Sequence, residues 1–279
     1  MIKTCKVCGA SGIRYDRDIK AGSHGDLVIC DCILKKCICG GVPPYQMFQK
    51  EGGHSWCACR SARVKLVSAK KAFKESQIPK KYQWKFFEDF KIVAPAANTL
   101  VGIASTIRET HPDTKWNNGF YLWGPAGSGK TLLAAIILQE LMLKYSLAGK
   151  FVDLSRQFFQ RLKNSFDTAN DTGENAGEIL DELIQIPFLV IDDFGVQRNT
   201  EWESEMLYNL IDSRYSDERV TIVTSNFHVS KYKEAPQGRV LSDVAQERVH
   251  SRLVEMCTII KVDLPDYRET FTRDNSNIT

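Results

Sequence analysis

The sequence predicts an α/β fold, a parallel sheet flanked by helices, preceded by a small cysteine-rich domain that binds zinc. Three observations carry this reading. Apolar strand-like runs at 119–123, 150–154, 188–192 and 220–225 alternate with helical stretches, a pattern that builds a parallel sheet with helices on both faces. Eight of the nine cysteines fall between Cys5 and Cys59. Between the first strand and a long apolar helix lies Gly124-Pro125-Ala126-Gly127-Ser128-Gly129-Lys130-Thr131, which fits the phosphate-cradling pattern G-x-x-x-x-G-K-[ST].

The chain of 279 residues has room for about two domains. Its longest apolar run, 132–138, is far short of the ~18 residues of a membrane span. The N-terminus has no signal-peptide apolar core, so a cytoplasmic protein with no membrane partner is expected. Charge is uneven. Residues 1–80 hold 15 Lys/Arg against 6 Asp/Glu, a formal +9, which leaves −6 for residues 81–279. Two zinc ions on eight thiolates bring the first figure to about +5. Such a basic end suits nucleic acid or an acidic protein face, and equally an ordinary solvated surface.

The cysteines come as four close pairs, Cys5/Cys8, Cys30/Cys32, Cys37/Cys39 and Cys57/Cys59. Close thiolate pairs make bidentate corners for a tetrahedral metal, whereas disulfides need an oxidising compartment. Gly9 and Gly40-Gly41 permit the tight knuckles in which backbone N–H groups face sulfur. The simplest pairing joins the first pair to the second and the third to the fourth, giving two Cys₄ sites; an interleaved pairing satisfies the same count. His24 and His54 are spare candidate ligands, and an iron–sulfur cluster is the alternative metal group. Full thiolate ligation leaves no open position, so the sites are structural. Cys257, alone in an apolar stretch, reads as core.

Residues 60–77, with Val64, Val67 and Phe73 amid Lys and Arg, suggest a basic amphipathic helix ended by Ile78-Pro79. The expected division is a cysteine-rich domain (1–60), a basic linker helix (61–80) and an α/β nucleotide-binding domain (81–279). In the loop, glycines let backbone N–H groups wrap phosphate oxygens, Lys130 places a charge on the β/γ-phosphates, and Thr131 can ligate Mg²⁺. The strand at 188–192 ends in two carboxylates, at the edge where open α/β sheets keep ligands. Asp192 suits the Mg²⁺ shell, and Asp193 suits the base that deprotonates the attacking water. Asn226 closes another buried strand, where it can bond water or the γ-phosphate. Arg248 and Arg252 lie four apart on a helix face, fit for a neighbouring subunit's γ-phosphate or for a surface pair with Glu247 or Glu255. The polar stretch 165–177 is expected to be a mobile loop, and Phe158-Phe159 core.

The loop, Ile191-Asp192-Asp193-Phe194-Gly195, Trp202 with the 207–215 segment, Thr224-Ser225-Asn226, Glu247-Arg248-Val249-His250-Ser251-Arg252-Leu253 and Asp266-Tyr267-Arg268 occur in that order. Together they resemble the AAA+ P-loop NTPase domain of bacterial and phage helicase loaders of the DnaC/DnaI type, over roughly residues 78–268. The resemblance implies that Asn226 acts as sensor 1, Arg252 as arginine finger, Arg268 as sensor 2 and Arg248 as a supporting interface arginine. It also implies loading of a ring-shaped hexameric replicative helicase onto single-stranded DNA, with ATP and Mg²⁺ governing self-assembly. A zinc-bearing front end that grips the helicase is similar to the DnaI branch. Where many relatives carry Asp-Glu this chain has Asp192-Asp193, and the shorter side chain implies slow hydrolysis. Two other readings compete. One is an IstB-like transposition helper with a similar ATPase core; the other is a zinc-dependent adaptor that uses ATP only as a switch.

Overall fold

The computed structural model describes residues 5–9, 11–18, 25–48, 53–90, 102, 119–154, 158–166, 175–195, 200–229 and 247–264. The chain divides into two compact units, Met1–Ser76 with Gln139–Ala148, and Gln77–Leu138 with Gly149–Thr279.

The first unit holds two short antiparallel ribbons. Strand β1 (Ile13–Asp16) pairs with β2 (Asp26–Ile29), and β3 (Gln46–Phe48) with β4 (His54–Trp56). A single turn of helix, α1 (Asp31–Leu34), follows β2. Helix α2 (Arg60–Glu75) turns Ala62, Ala69 and Phe73 inward. The fit is close at Gly12, where a Cβ would stand 2.8 Å from that of Ala62. Val64 and Val67 take no part in that inward face; both are exposed. The helix stops at Glu75, and Gln77 beyond it is left-handed with φ of 58°.

The second unit is built on a sheet of β5 (Gly119–Trp123), β6 (Gly149–Asp153), β7 (Phe188–Phe194), β8 (Val220–Ser225) and β9 (Cys257–Lys261). The order is β6-β7-β8-β5-β9, and every neighbouring pair is parallel. Strands β5 and β8 are buried at every position, which is why they read as continuous apolar runs. Helices flank the sheet: α3 (Lys130–Tyr145), α4 (Phe159–Phe166), α5 (Ala176–Gln185), α6 (Glu201–Ser216) and α7 (Glu247–Met256). Two begin at explicit caps. Asn175 accepts from the Gly177 N–H while Glu178 reaches back to the Asn175 N–H, and Thr200 Oγ1 accepts from the Glu203 N–H. Each such cap is worth about 1 kcal/mol. Leu162, Leu183, Leu207, Ile211 and Leu253 bring the helices onto Leu189, Ile191 and Val223 of the sheet. Phe158, Phe159 and Cys257 are in the same core, as expected. Strand β9 has no counterpart in the sequence-based reading; it follows α7 directly and pairs with β5 at the sheet edge.

Arg214 of α6 is fully buried, and among the described residues its hydrogen bonds go to a hydroxyl and to carbonyls. Its Nε donates to Thr221 Oγ1, and its terminal nitrogens donate to the carbonyls of Leu183, Ile184, Ile186 and Val220. It therefore satisfies the C-terminal carbonyls of α5, which the helix leaves open, and ties them to the start of β8.

Candidate functional site

The phosphate-type loop leaves β5 at Trp123 and enters α3 at Lys130. Its glycines are conformationally required. Gly127 and Gly129 have φ of 82° and 88°, in the region that costs other residues most. At Gly124 a Cβ would stand 2.2 Å from the Val262 carbonyl oxygen. Lys130 is nearly buried, and its Nζ donates to the carbonyls of Gly124 (2.9 Å) and Pro125 (2.7 Å). The ammonium thus lies inside the curve of its own loop. Ser128 is fully buried in the same curve, and its Oγ has no hydrogen-bond partner among the described residues. A buried hydroxyl without a partner is costly in apolar surroundings, and a phosphate oxygen at that place would satisfy it. The cradle, the ammonium and the N-terminus of α3 fit a nucleotide's phosphates.

The two residues expected to hold Mg²⁺ meet. Asp192 is buried at the C-terminal end of β7, and the Thr131 hydroxyl from the loop hydrogen-bonds its carboxylate. Thr224 on β8, the strand between β7 and β5, donates from Oγ1 to Asp192 Oδ1 at 2.6 Å. The same Oγ1 accepts the Asp193 N–H at 3.0 Å. Burial pushes the Asp192 carboxyl up to about 6, against the two hydroxyls that pull it down and with the help of the Asp193 and Asp153 charges.

Asp193 differs from its neighbour. The β7–β8 register shifts between Ile191 and Phe194, and Asp193 sits in that bulge with φ of 58°. A bulge of this kind re-aims a side chain. Here it lets two consecutive residues serve one edge of the sheet, where a regular strand would send them to opposite faces. Asn226 stands exposed just beyond β8. The chain around it is pinned: the Tyr121 hydroxyl donates to the Phe227 carbonyl at 2.8 Å, and Ser225 Oγ accepts the Phe227 N–H while donating to the Phe194 carbonyl.

Arg248 and Arg252 lie on one face of α7, as expected, but their partners are on α6. Arg252 Nε donates to Asp212 Oδ1 at 2.9 Å, and its guanidinium rests over the Tyr215 ring at 4.5 Å. Arg248 lies over Tyr208 at 5.8 Å, and Tyr215 donates to Glu255 at 2.6 Å. Glu247 and Glu255, the expected partners of a surface pair, are not the ones Arg252 uses. Arg268, His24 and residues 167–174 of the polar stretch lie outside the described residues.

The eight cysteines form two clusters, Cys5/Cys8/Cys30/Cys32 and Cys37/Cys39/Cys57/Cys59. This is the sequential pairing. The contacts are 3.9 and 3.6 Å in the first, and 3.8, 3.5 and 4.0 Å in the second. Four sulfurs around a zinc ion at ~2.3 Å would stand about 3.8 Å apart, so both clusters could hold one. The knuckles are as expected. Backbone N–H groups of Cys8 and Val7 hold the Cys5 thiol down at about 6, and those of Cys59 and Ile38 do so for Cys57. Gly9, Gly40 and Gly41 all have positive φ. Arg63 from α2 adds side-chain hydrogen bonds to Cys59 and Cys37. His54 is exposed on β4, outside both clusters.

Thr224, Asp212 and Tyr215 stand in segments that carry the family resemblance, but the sequence assigned none of them a role. Nothing local singles out Thr224 in a strand that also holds Thr221 and Ser225, or Asp212, which is 40 residues from Arg252.

The raised carboxyl gives a first prediction. Between about pH 4 and 6 the folded chain keeps a proton on Asp192 that the unfolded chain releases. Its contribution to stability therefore falls as pH rises through that window, by roughly 3 kcal/mol in all. Asp192→Asn is expected to flatten this slope and to raise stability at pH 7 by about 1–3 kcal/mol, while abolishing Mg²⁺-dependent nucleotide binding. Urea denaturation from pH 4 to 7 reads the first effect; an unchanged slope would contradict it.

The model of the family described as IstB-like ATP binding protein matches residues 69–275. The replicative helicase loader DnaC of Escherichia coli (strain K12) is 26% identical over 195 residues, 70% of this chain and 76% of DnaC. The replicative helicase loader DnaI of Bacillus subtilis (strain 168) is 26% identical over 182 residues, 63% of this chain and 56% of DnaI. Among solved structures, a crystal structure of the DnaC helicase loader superposes with a TM-score of 0.54 at 26% identity, covering 66% of this chain and 99% of that one. Both the sheet and the phosphate loop fall inside the matched region, and the fold is that of the AAA+ ATPases. The chain belongs to the IstB-like ATP-binding protein family, and replicative helicase loaders named DnaC and DnaI are among its homologues.

Proposed function

We propose that this chain is an ATP-dependent helicase loader, a cytoplasmic AAA+ ATPase that brings a hexameric replicative helicase to single-stranded DNA at the initiation of replication. The observation that carries the ATPase half is the meeting of Thr131 of the phosphate loop with the Asp192 carboxylate, with the Asp193 N–H held on the Thr224 hydroxyl that also bonds Asp192. The loader half rests on the relatives named DnaC and DnaI.

Residues 124–131 hold the phosphates of ATP, with Lys130 on the β/γ oxygens and Thr131 and Asp192 holding Mg²⁺. The bound ion neutralises charge that develops on the phosphoryl oxygens. Asp193 orients the attacking water and accepts its proton. Asn226 positions that water from the end of β8, and Arg268 serves from beyond the described residues. Arg252 is offered to the nucleotide of a neighbouring copy. Among the described residues Arg252 is hydrogen-bonded only through Nε, to Asp212, which leaves its two terminal nitrogens for phosphate. Residues 1–60, with two structural zinc ions, bind the helicase, and the basic segment 61–80, most of it in α2, links them to the ATPase domain at 81–279. The exposed Val7, Ile38 and Val42 beside the cysteines support a docking role.

Asp193→Ala is expected to slow ATP turnover by about a hundredfold or more. The tagged full chain should capture the host's replicative helicase with ATP, and Lys130→Ala should lose that capture. Equal turnover in wild type and Asp193→Ala would leave a zinc-dependent adaptor that uses ATP only as a switch. The family match favours a second reading, an IstB-like transposition helper; capture of a transposase in place of the helicase would select it.

A further inference from the structure

We infer that the β3–β4 ribbon is a stacking platform for single-stranded nucleic acid, a binding site separate from the ATPase domain. Strands β3 and β4 pair Gln46 with Trp56 and Phe48 with His54. Side chains two apart on a strand share a face, as do those of directly paired residues. One face of the ribbon therefore carries Gln46, Phe48, His54 and Trp56. The three rings on it are exposed, Phe48 at 82% and Trp56 at 51%. Phe48 and His54 meet edge to face with centroids 4.9 Å apart. The guanidinium of Arg60, itself exposed, stacks over the Trp56 ring at 3.8 Å.

Large exposed rings cost solubility, and much of their surface stays in water where a core would bury it. The ribbon is nonetheless held firmly at its exit. Cys57 follows Trp56, its N–H donates to the Tyr45 carbonyl at 2.8 Å, and its sulfur belongs to the second cysteine cluster. The rings thus ride on an anchored support.

Charge and ring chemistry choose the occupant. Residues 1–80 carry a formal +9, or about +5 with two zinc ions bound, so an anionic partner is favoured. Three flat rings beside an arginine suit unpaired bases, because every base offers a face for stacking and the cation meets the phosphates between them. A duplex hides those faces. The site so defined is sequence-tolerant and selects single strands. It needs no nucleotide at the phosphate loop, so it stands or falls independently of the ATPase reading.

The test is binding of a fluorescein-labelled oligo-dT of about 20 nucleotides to the full chain without ATP, followed by anisotropy. The double variant Phe48→Ala/Trp56→Ala removes two exposed rings, and an unchanged zinc content confirms that its module is intact. It should bind at least about tenfold more weakly, while Trp56→Phe keeps most of the affinity. Oligo-dT should also quench tryptophan fluorescence in the wild type and much less in Trp56→Phe. Wild-type affinity in the double variant would overturn the inference. So would a double variant that keeps oligo-dT but loses capture of the helicase, which would make the ribbon a protein-docking face.

Discussion

Replacing Arg214 with methionine is expected to cost about 3–5 kcal/mol, the largest effect of any single substitution outside the apolar core. The methionine fills much of the volume but donates nothing to the carbonyls of Leu183, Ile184, Ile186 and Val220 or to Thr221. A buried acceptor left without a donor costs roughly 1–3 kcal/mol, and several are orphaned together. Burial pushes the guanidinium down to about 9, so it still carries its charge at neutral pH. Lysine should recover little, because a point charge with three donors cannot span the end of α5 and the start of β8 as a planar fork does. Domains of ordinary stability have about 5–15 kcal/mol in total. Urea denaturation should show the midpoint of Arg214→Met lowered by more than 1 M at an m-value of about 1–3 kcal/mol per M. A shift within error of zero would mean that solvent or rearrangement satisfies the carbonyls instead.

Removing metal from the full chain should unfold the first unit and spare the second. Residues 1–76 bury few large apolar side chains, chiefly Ile13, Leu27, Ile29 and Phe73, on ribbons of three or four residues a strand. Units with so little core depend on metals or disulfides, and its cysteines are all free thiols. Structural zinc supplies about 10–16 kcal/mol of apparent binding in small metal-folded peptides. A strong chelator is therefore expected to open residues 1–76 to protease while the sheet of β5 to β9 stays protected. Metal analysis before chelation should give two zinc per chain. One ion or none, or a proteolysis pattern indifferent to the chelator, would refute two structural sites.

How far the sequence could be read follows from where each signal resides. Strands β5, β7 and β8 were legible because burial on both sides makes them continuously apolar. The phosphate loop was legible because its chemistry fixes residue types at fixed spacing. The four close cysteine pairs were legible from their short separations, while their sequential grouping, one of two that the count allows, is a product of the fold. Strand β9 was not legible: Cys257-Thr258-Ile259-Ile260-Lys261 is an edge strand with a mixed burial pattern. The bulge at Asp193 was equally hidden, since a left-handed aspartate is a product of the β7–β8 register. Arg214 reads locally as one more helix-surface charge; its burial is decided by α5 and β8, which lie elsewhere in the chain. Arg252 was placed on the right face of its helix, but its partner Asp212 depends on how α6 packs against α7.

Helix α7 and strand β9 have a mechanical consequence. No loop separates Met256 from Cys257, so the backbone that carries Arg252 runs without slack into a strand stitched along all of β5. Just past its end, the Val262 N–H holds the Trp123 carbonyl at 2.7 Å, and the Val262 carbonyl crowds Gly124. The segment that carries Arg252 is thus continuous with the strand whose end is bonded to the start of the phosphate loop, so the two ends of the site share one stretch of backbone.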